Sequence, residues 1–146
     1  MRPYSSRFRA RPHYAAEAVE QSAMATADVI VPTGASEAHN LGLTTQVPIR
    51  RVYLTSGRSR RLHLGKQGVE LRSVPSWQLT GPGTREGAVL RAVEWLGPEA
   101  PRETVAEAVA MLTKDVRRRL ISTCAGAPAW LAKRLGEALF PSHVAA

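Results

Sequence analysis

Between Arg50 and Val74 the chain alternates apolar and charged residues, and from Thr84 onward that period of two gives way to a period of 3.6. Strand patterns and helix patterns are therefore segregated along the chain. A repeating βαβα rhythm is absent, which argues against a doubly wound parallel sheet and for an α+β fold. The expected architecture is a small antiparallel β-sheet with an N-terminal helix and a C-terminal group of about four helices. The strand runs are Arg50–Thr55, Arg60–Leu64 and Val69–Val74, and the last two are joined by the turn Gly65-Lys66-Gln67-Gly68. In this reading Val52, Leu54, Leu62, Leu64, Val69 and Leu71 share a core face. Arg51, Tyr53, Arg61, His63, Glu70 and Arg72 share the opposite, basic face.

The flanking segments follow local rules. Residues 1–13, MRPYSSRFRARPH, contain two prolines and no periodicity and read as a flexible basic arm. Tyr14 to Ala25 is rich in helix formers. Val29, Ile30 and Val31 form a β-branched run that stops at Pro32, which places it at a strand end or sheet edge. Thr33 is suited to cap a short helix over Ala35–Leu41, with Gly42 as its left-handed terminator. Thr84 caps a longer helix that runs to Leu96. Helices over Arg102–Leu112 and Lys114–Ala125 follow, and a last one starts at Pro128 and stops at Pro141. Residues 14–140 thus read as one domain, and residues 141–146 as a frayed tail.

A hydrophobic content of 44% is enough for a core without disulfides, and the single cysteine, Cys124, excludes an intrachain bridge. No apolar run approaches the ~20 residues that span a bilayer, and the N-terminus lacks the apolar stretch of a secretory signal. A cytoplasmic location and no membrane contact are expected. The net charge of +8 favours an acidic or polyanionic partner. The cations concentrate in residues 50–72, where Arg50, Arg51, Arg58, Arg60, Arg61, Lys66 and Arg72 face only Glu70. A run at Arg117, Arg118 and Arg119 is shorter and reads as a solvated helix face.

Catalytic signals are lacking. Cys124 lies at helical spacing from Leu120 and Val116, on an apolar stripe, and reads as structural rather than nucleophilic. His13, His39, His63 and His143 show no metal-ligand spacing, so no metal and no cofactor are expected. The acids Glu86, Glu94, Glu99, Glu103 and Glu107 read as helix exteriors, not as a catalytic pair. The chain is therefore expected not to be an enzyme. The basic sheet face is the one serious binding candidate. Arginines on adjacent strands with Tyr53 among them suit a nucleic-acid backbone or an acidic protein surface. The same pattern also fits a face covered by a helix, with the arginines reaching round to solvent.

The string PTGASEAHNLGLTTQVPIRRVYLTSGRSRRLHLG, Pro32 to Gly65, resembles the C-terminal domain of the AbiEi-like antitoxins, transcriptional regulators of type IV toxin–antitoxin systems. The similarity lies in the PTGA turn (Pro32–Ala35), NLGLTTQVP (Asn40–Pro48), VYLTSG (Val52–Gly57) and SRR (Ser59–Arg61). Leu96-Gly97 and APAW (Ala127–Trp130) extend it over most of the chain. The resemblance implies a noncatalytic domain that neutralises a cognate nucleotidyltransferase-like toxin. Members of that family also carry an N-terminal winged helix–turn–helix, which is not expected within this sequence; the residues before Tyr14 look like the basic linker that would follow it. The expected partner-binding residues are Arg51, Tyr53, Arg58, Arg60, Arg61, His63 and Arg72, with Thr33, Gly34, Asn40, Gly42, Thr45 and Gln46 shaping the preceding loop. The alternative is a nucleic-acid-binding regulator that uses the same basic face, and weak contact with nucleic acid is compatible with either role.

Overall fold

A computed structural model describes residues 27–48, 51–64 and 67–141. The basic arm, the helix expected over Tyr14–Ala25 and residues 142–146 lie outside the described residues. The described elements are β1 (Ile30–Pro32), α1 (Gly34–Asn40), β2 (Val52–Thr55), β3 (Arg60–Leu64) and β4 (Gln67–Ser73). A 3-10 turn (Ser76–Leu79) leads into α2 (Arg85–Leu96), α3 (Arg102–Ala110), α4 (Lys114–Thr123) and α5 (Ala129–Leu139). The fold is α+β, as the segregated periodicities require.

The sheet is mixed rather than antiparallel. Its order is β1-β2-β4-β3, with β2 parallel to β4 and the other two pairings antiparallel. β4 enters between β2 and β3, so the loop after β2 crosses the end of β4. The side chain of Ser59 in that loop accepts the Ser73 N–H at 2.9 Å. β3 and β4 form the expected hairpin, but Leu64 pairs with Gln67, which shortens its turn from four residues to two.

Parallel pairing changes which residues share a face. Cross-strand partners point to the same side, and Tyr53 is partnered by Leu71 while Leu54 is partnered by Arg72. The first face carries Ile30, Tyr53, Leu62, Val69 and Leu71, which pack as one cluster with Val69 and Leu71 fully buried. The second face carries Val31 and Leu54 at one side, where they pack with Leu79 and Val74. At its other side stand Glu70, Arg72, Arg61 and His63. Val52 and Leu54 therefore do not join Leu62, Val69 and Leu71, because a strand inserted in parallel shifts β2 by one residue relative to a simple meander.

The helices form the larger core. Val89, Leu90, Val93, Val105, Val109, Leu112, Leu120, Leu131 and Leu135 are among its buried members. α2 is central, packing against α1, α3, α4 and the 3-10 turn, while α5 packs on α3. The caps follow the chain's polar punctuation: Thr33, Thr84 and Thr113 each accept an N–H from their own first turn. α3, α4 and α5 end at Ala110, Thr123 and Leu139, and Pro128 occupies the N-cap rather than the first turn of α5.

α1 lies unusually close to α2. A Cβ on Gly34 would fall 2.3 Å from the Arg91 carbonyl oxygen and 2.6 Å from Trp95 Cβ, so the contact depends on glycine. The same interface holds a buried ion pair, Glu37 with Arg91, at 3.1 Å. Burial pushes the Glu37 carboxyl up from its ordinary range, and the Arg91 charge and hydrogen bonds pull it back. Sequence periodicity gave no sign of this pair. Glu86, expected in solvent, is buried as well and accepts from Arg119 Nε at 2.7 Å.

Candidate functional site

Of the seven residues expected to bind a partner, six divide between the two faces of the sheet and Arg58 lies in the loop before β3. Tyr53 stands on the first face against Val69 and Leu71. Burial raises its phenol pKa, and the charge of neighbouring Arg51 opposes that rise. Arg51, two residues before it, belongs to the same side by alternation, and its carbonyl accepts the Glu70 N–H at 2.9 Å. Arg60 also points to the first face, as the partner of Leu71, and is ion-paired with Asp28 at 3.4 Å. These residues are thus drawn into the fold: Tyr53 fills apolar space and Arg60 ties β3 to the segment that opens β1.

Arg61, His63 and Arg72 do come together, on the second face, and all three are exposed. Arg61 lies opposite Glu70 and His63 opposite Gly68, which leaves the His63 ring no side chain across the ladder. Arg72 Nη2 meets Glu70 Oε2 at 3.3 Å, and its side chain stays half exposed. Arg58 is exposed in the loop before β3, and its carbonyl accepts from Arg60 Nη1 at 3.1 Å. The result is a basic strip that runs along β3 and β4. Successive side chains on one face of a strand stand about 6.7 Å apart.

Local sequence explains why this part of the sheet stays open. The apolar residues of the second face, Val31, Val52 and Leu54, sit on β1 and β2, where Leu79 of the 3-10 turn packs on Val31 and Leu54. The second-face positions of β3 and β4 are all polar or glycine, so nothing there demands a covering layer.

The loop residues divide too. Thr33 is the N-cap of α1 and accepts the Ser36 N–H at 3.2 Å. Gly34 is the close contact with α2, and Gly42 takes the left-handed φ of 75° that ends α1. Asn40 is the exposed last residue of α1. Thr45 and Gln46 are exposed, and the turn there is shaped by Thr44, whose hydroxyl accepts the Gln46 N–H at 3.2 Å. Of the arginine run in α4, Arg117 Nε donates to the Leu112 carbonyl and Arg119 holds Glu86, so the run is largely structural.

One feature left only a weak sequence signal. A cavity of about 280 Å³ lies between α3 and α5, with Arg102, Val105, Arg134, Glu137 and Ala138 in its wall. Arg134 donates to the carbonyls of Pro98 and Ala100 and approaches Glu137, so its charge is already used to fasten α5 to the loop before α3. The arrangement of Arg134 and Glu137 one turn apart beside the Leu131–Leu135 stripe was the available clue. Cys124 sits half-buried against the helical core, and burial pushes its thiol pKa up, the opposite of what a nucleophile needs. Among the described residues no group of three or more His, Cys, Asp or Glu could hold a metal ion, and no helix is long and apolar enough to cross a membrane.

The fold and this surface define an α+β domain with one half of a sheet face left open and basic. The chain belongs to DUF6088, a family of unknown function, which it matches over residues 13–127. No curated protein and no solved structure matches it.

Proposed function

We propose that this chain is a noncatalytic antitoxin-type domain that neutralises a nucleotidyltransferase-like toxin by binding it through the open, basic half of the sheet. The observation that carries the reading is the convergence of Arg61, His63 and Arg72 on one uncovered face, with Arg58 beside them. Such a strip is matched by acidic groups on a protein, and arginine forks are suited to carboxylates. The similarity of Pro32–Gly65 to the AbiEi-like antitoxins names the partner class, and the cytoplasm is the compartment where that pairing operates. The working set is narrower than the sequence pattern suggests: Arg58, Arg61, His63 and Arg72 bind, while Arg51, Tyr53 and Arg60 support the sheet.

Co-expression with a nucleotidyltransferase-like toxin tests this. The wild-type chain restores growth and co-purifies with the toxin. A triple variant, Arg58→Glu, Arg61→Glu and Arg72→Glu, retains its fold and loses both. Growth rescue by that variant would defeat the proposal.

A second reading has its own support. Arg58, Arg61 and Arg72, exposed on and beside adjacent strands, also suit nucleic-acid phosphates. In that case a mobility-shift titration with operator DNA gives tight binding that weakens steeply with salt, and the toxin does not co-purify.

A further inference from the structure

β3 is an outer strand of the sheet, so among the described strands it has a neighbour on one side only. An outer strand offers a row of main-chain N–H and C=O groups to any extended segment that reaches it. The opposite edge is poorly suited to this, since β1 has three residues and ends in Pro32. β3 has five residues, no proline, and pairs with β4 in unbroken register from Arg60 to Leu64. What guards it is charge. Arg61 and His63 stand exposed on its second face, Arg58 precedes it, and Arg72 stands on β4. Glu70, the acid on this face of β4, is ion-paired to Arg72.

Charge of one sign does two things at such an edge. It disfavours a second copy of β3, which would set arginine against arginine, and it favours a strand that carries acids. An added strand sends alternate side chains to the second face at the same spacing as Arg61 and His63. We propose that the β3 edge takes an extended acidic segment of a partner protein by β-augmentation. Main-chain hydrogen bonds form at Arg61 and His63, which sit at the non-hydrogen-bonded positions of the β3–β4 ladder and so turn their N–H and C=O groups outward, and alternate carboxylates of the segment meet Arg61, His63 and Arg72. This rests on the reading that the basic strip binds a protein, and it adds the manner in which that protein is held.

The test uses the full chain and a synthetic ten-residue peptide of alternating Glu and Val, titrated by isothermal calorimetry. Two further peptides carry N-methyl groups on every second amide, one on the Glu positions and the other on the Val positions. A strand directs successive N–H groups to opposite sides. The expected result is binding of the unmodified peptide, retained by one methylated form and weakened at least about tenfold in the other. Arg61→Glu with Arg72→Glu weakens the unmodified peptide by a similar factor, with an unchanged circular dichroism spectrum. Equal binding of all three peptides overturns the augmentation, because charge alone then accounts for the contact. No binding of the unmodified peptide overturns it as well. Either failure leaves the antitoxin proposal standing if the toxin still co-purifies. Position-dependent peptide binding without toxin co-purification sinks the antitoxin proposal and keeps the edge site.

Discussion

Arg91 Nε and Nη2 both donate to Glu37 Oε2, at 3.3 and 3.1 Å, across the buried contact between α1 and α2. The remaining nitrogen, Nη1, donates to the carbonyls of Gln78 and Thr80 at 3.2 and 3.0 Å. One side chain with 2% exposure therefore joins α1, α2 and the end of the 3-10 turn. Through Leu79 that turn also packs against Val31 and Leu54, so the same knot sets the sheet against the helices.

Removing one member of a buried ion pair leaves the other charged and unpaired, at a cost of roughly 3–5 kcal/mol. Arg91→Ala is expected to lose that much in a urea unfolding titration, with the two carbonyls adding to the penalty. The double change Arg91→Met with Glu37→Leu should recover most of it. A cost below about 1 kcal/mol for Arg91→Ala would mean the pair contributes little.

Two glycines give opposite results under the same substitution. Gly34→Ala drives a methyl group against the Arg91 carbonyl at 2.3 Å and should cost about 1–3 kcal/mol through forced separation of α1 and α2. Gly136→Ala in α5 meets nothing within 4 Å and should gain about 1 kcal/mol from helix propensity. Paired thermal melts of the two variants check both signs at once.

Glu86 provides a pH signature. The Arg119 hydrogen bond is the largest cause holding its carboxyl below the ordinary value of 4.5, against opposition from burial. A carboxylate with a lowered folded pKa adds stability above its unfolded pKa and loses it as the pH falls through the folded one. Glu86→Gln should therefore cost a little at pH 7, at most about 1 kcal/mol because Arg119 is largely exposed. The gap between wild type and variant should close as the pH drops below the ordinary carboxylate range. Urea midpoints at pH 7, 5 and 3 measure it.

Cys124 should be a poor nucleophile. Burial raises its pKa, so the thiolate is scarce near neutrality. Iodoacetamide labelling at pH 7 is expected to be slow in the native protein and to speed up on unfolding in urea. Fast native labelling would contradict the structural role.

Most local structure could be read from the chain because its causes are local. Pro32 stops β1, Thr33 caps α1, Gly42 ends it, and the alternation of β3 sets the hairpin with β4. The pairing of β2 could not be read that way. Val52 and Leu54 alternate equally well in a meander or in a parallel ladder, and the choice depends on where β4 enters. That ambiguity put Tyr53 and Arg51 on the wrong face. Arg91 left a fainter trace. It is a charged residue within Val89, Leu90, Ala92 and Val93, a stretch of α2 buried on nearly every side, where a cation requires a partner. Glu37 lies 54 residues away, so nothing in the local pattern identified it as that partner. The basic strip was half legible: the excess of arginine in residues 50–72 marked the region, and only the strand order separated the exposed side chains from the packed ones.

Hydrogen–deuterium exchange of the chain with and without a nucleotidyltransferase-like toxin, the proposed partner, tests the central claim most directly. Binding through the open sheet predicts new protection over residues 58–63 and 68–72 and unchanged exchange over α3 and α5. Protection around Val105 and Ala138, with β3 and β4 unaltered, would place the partner in the cavity between α3 and α5 and contradict the account.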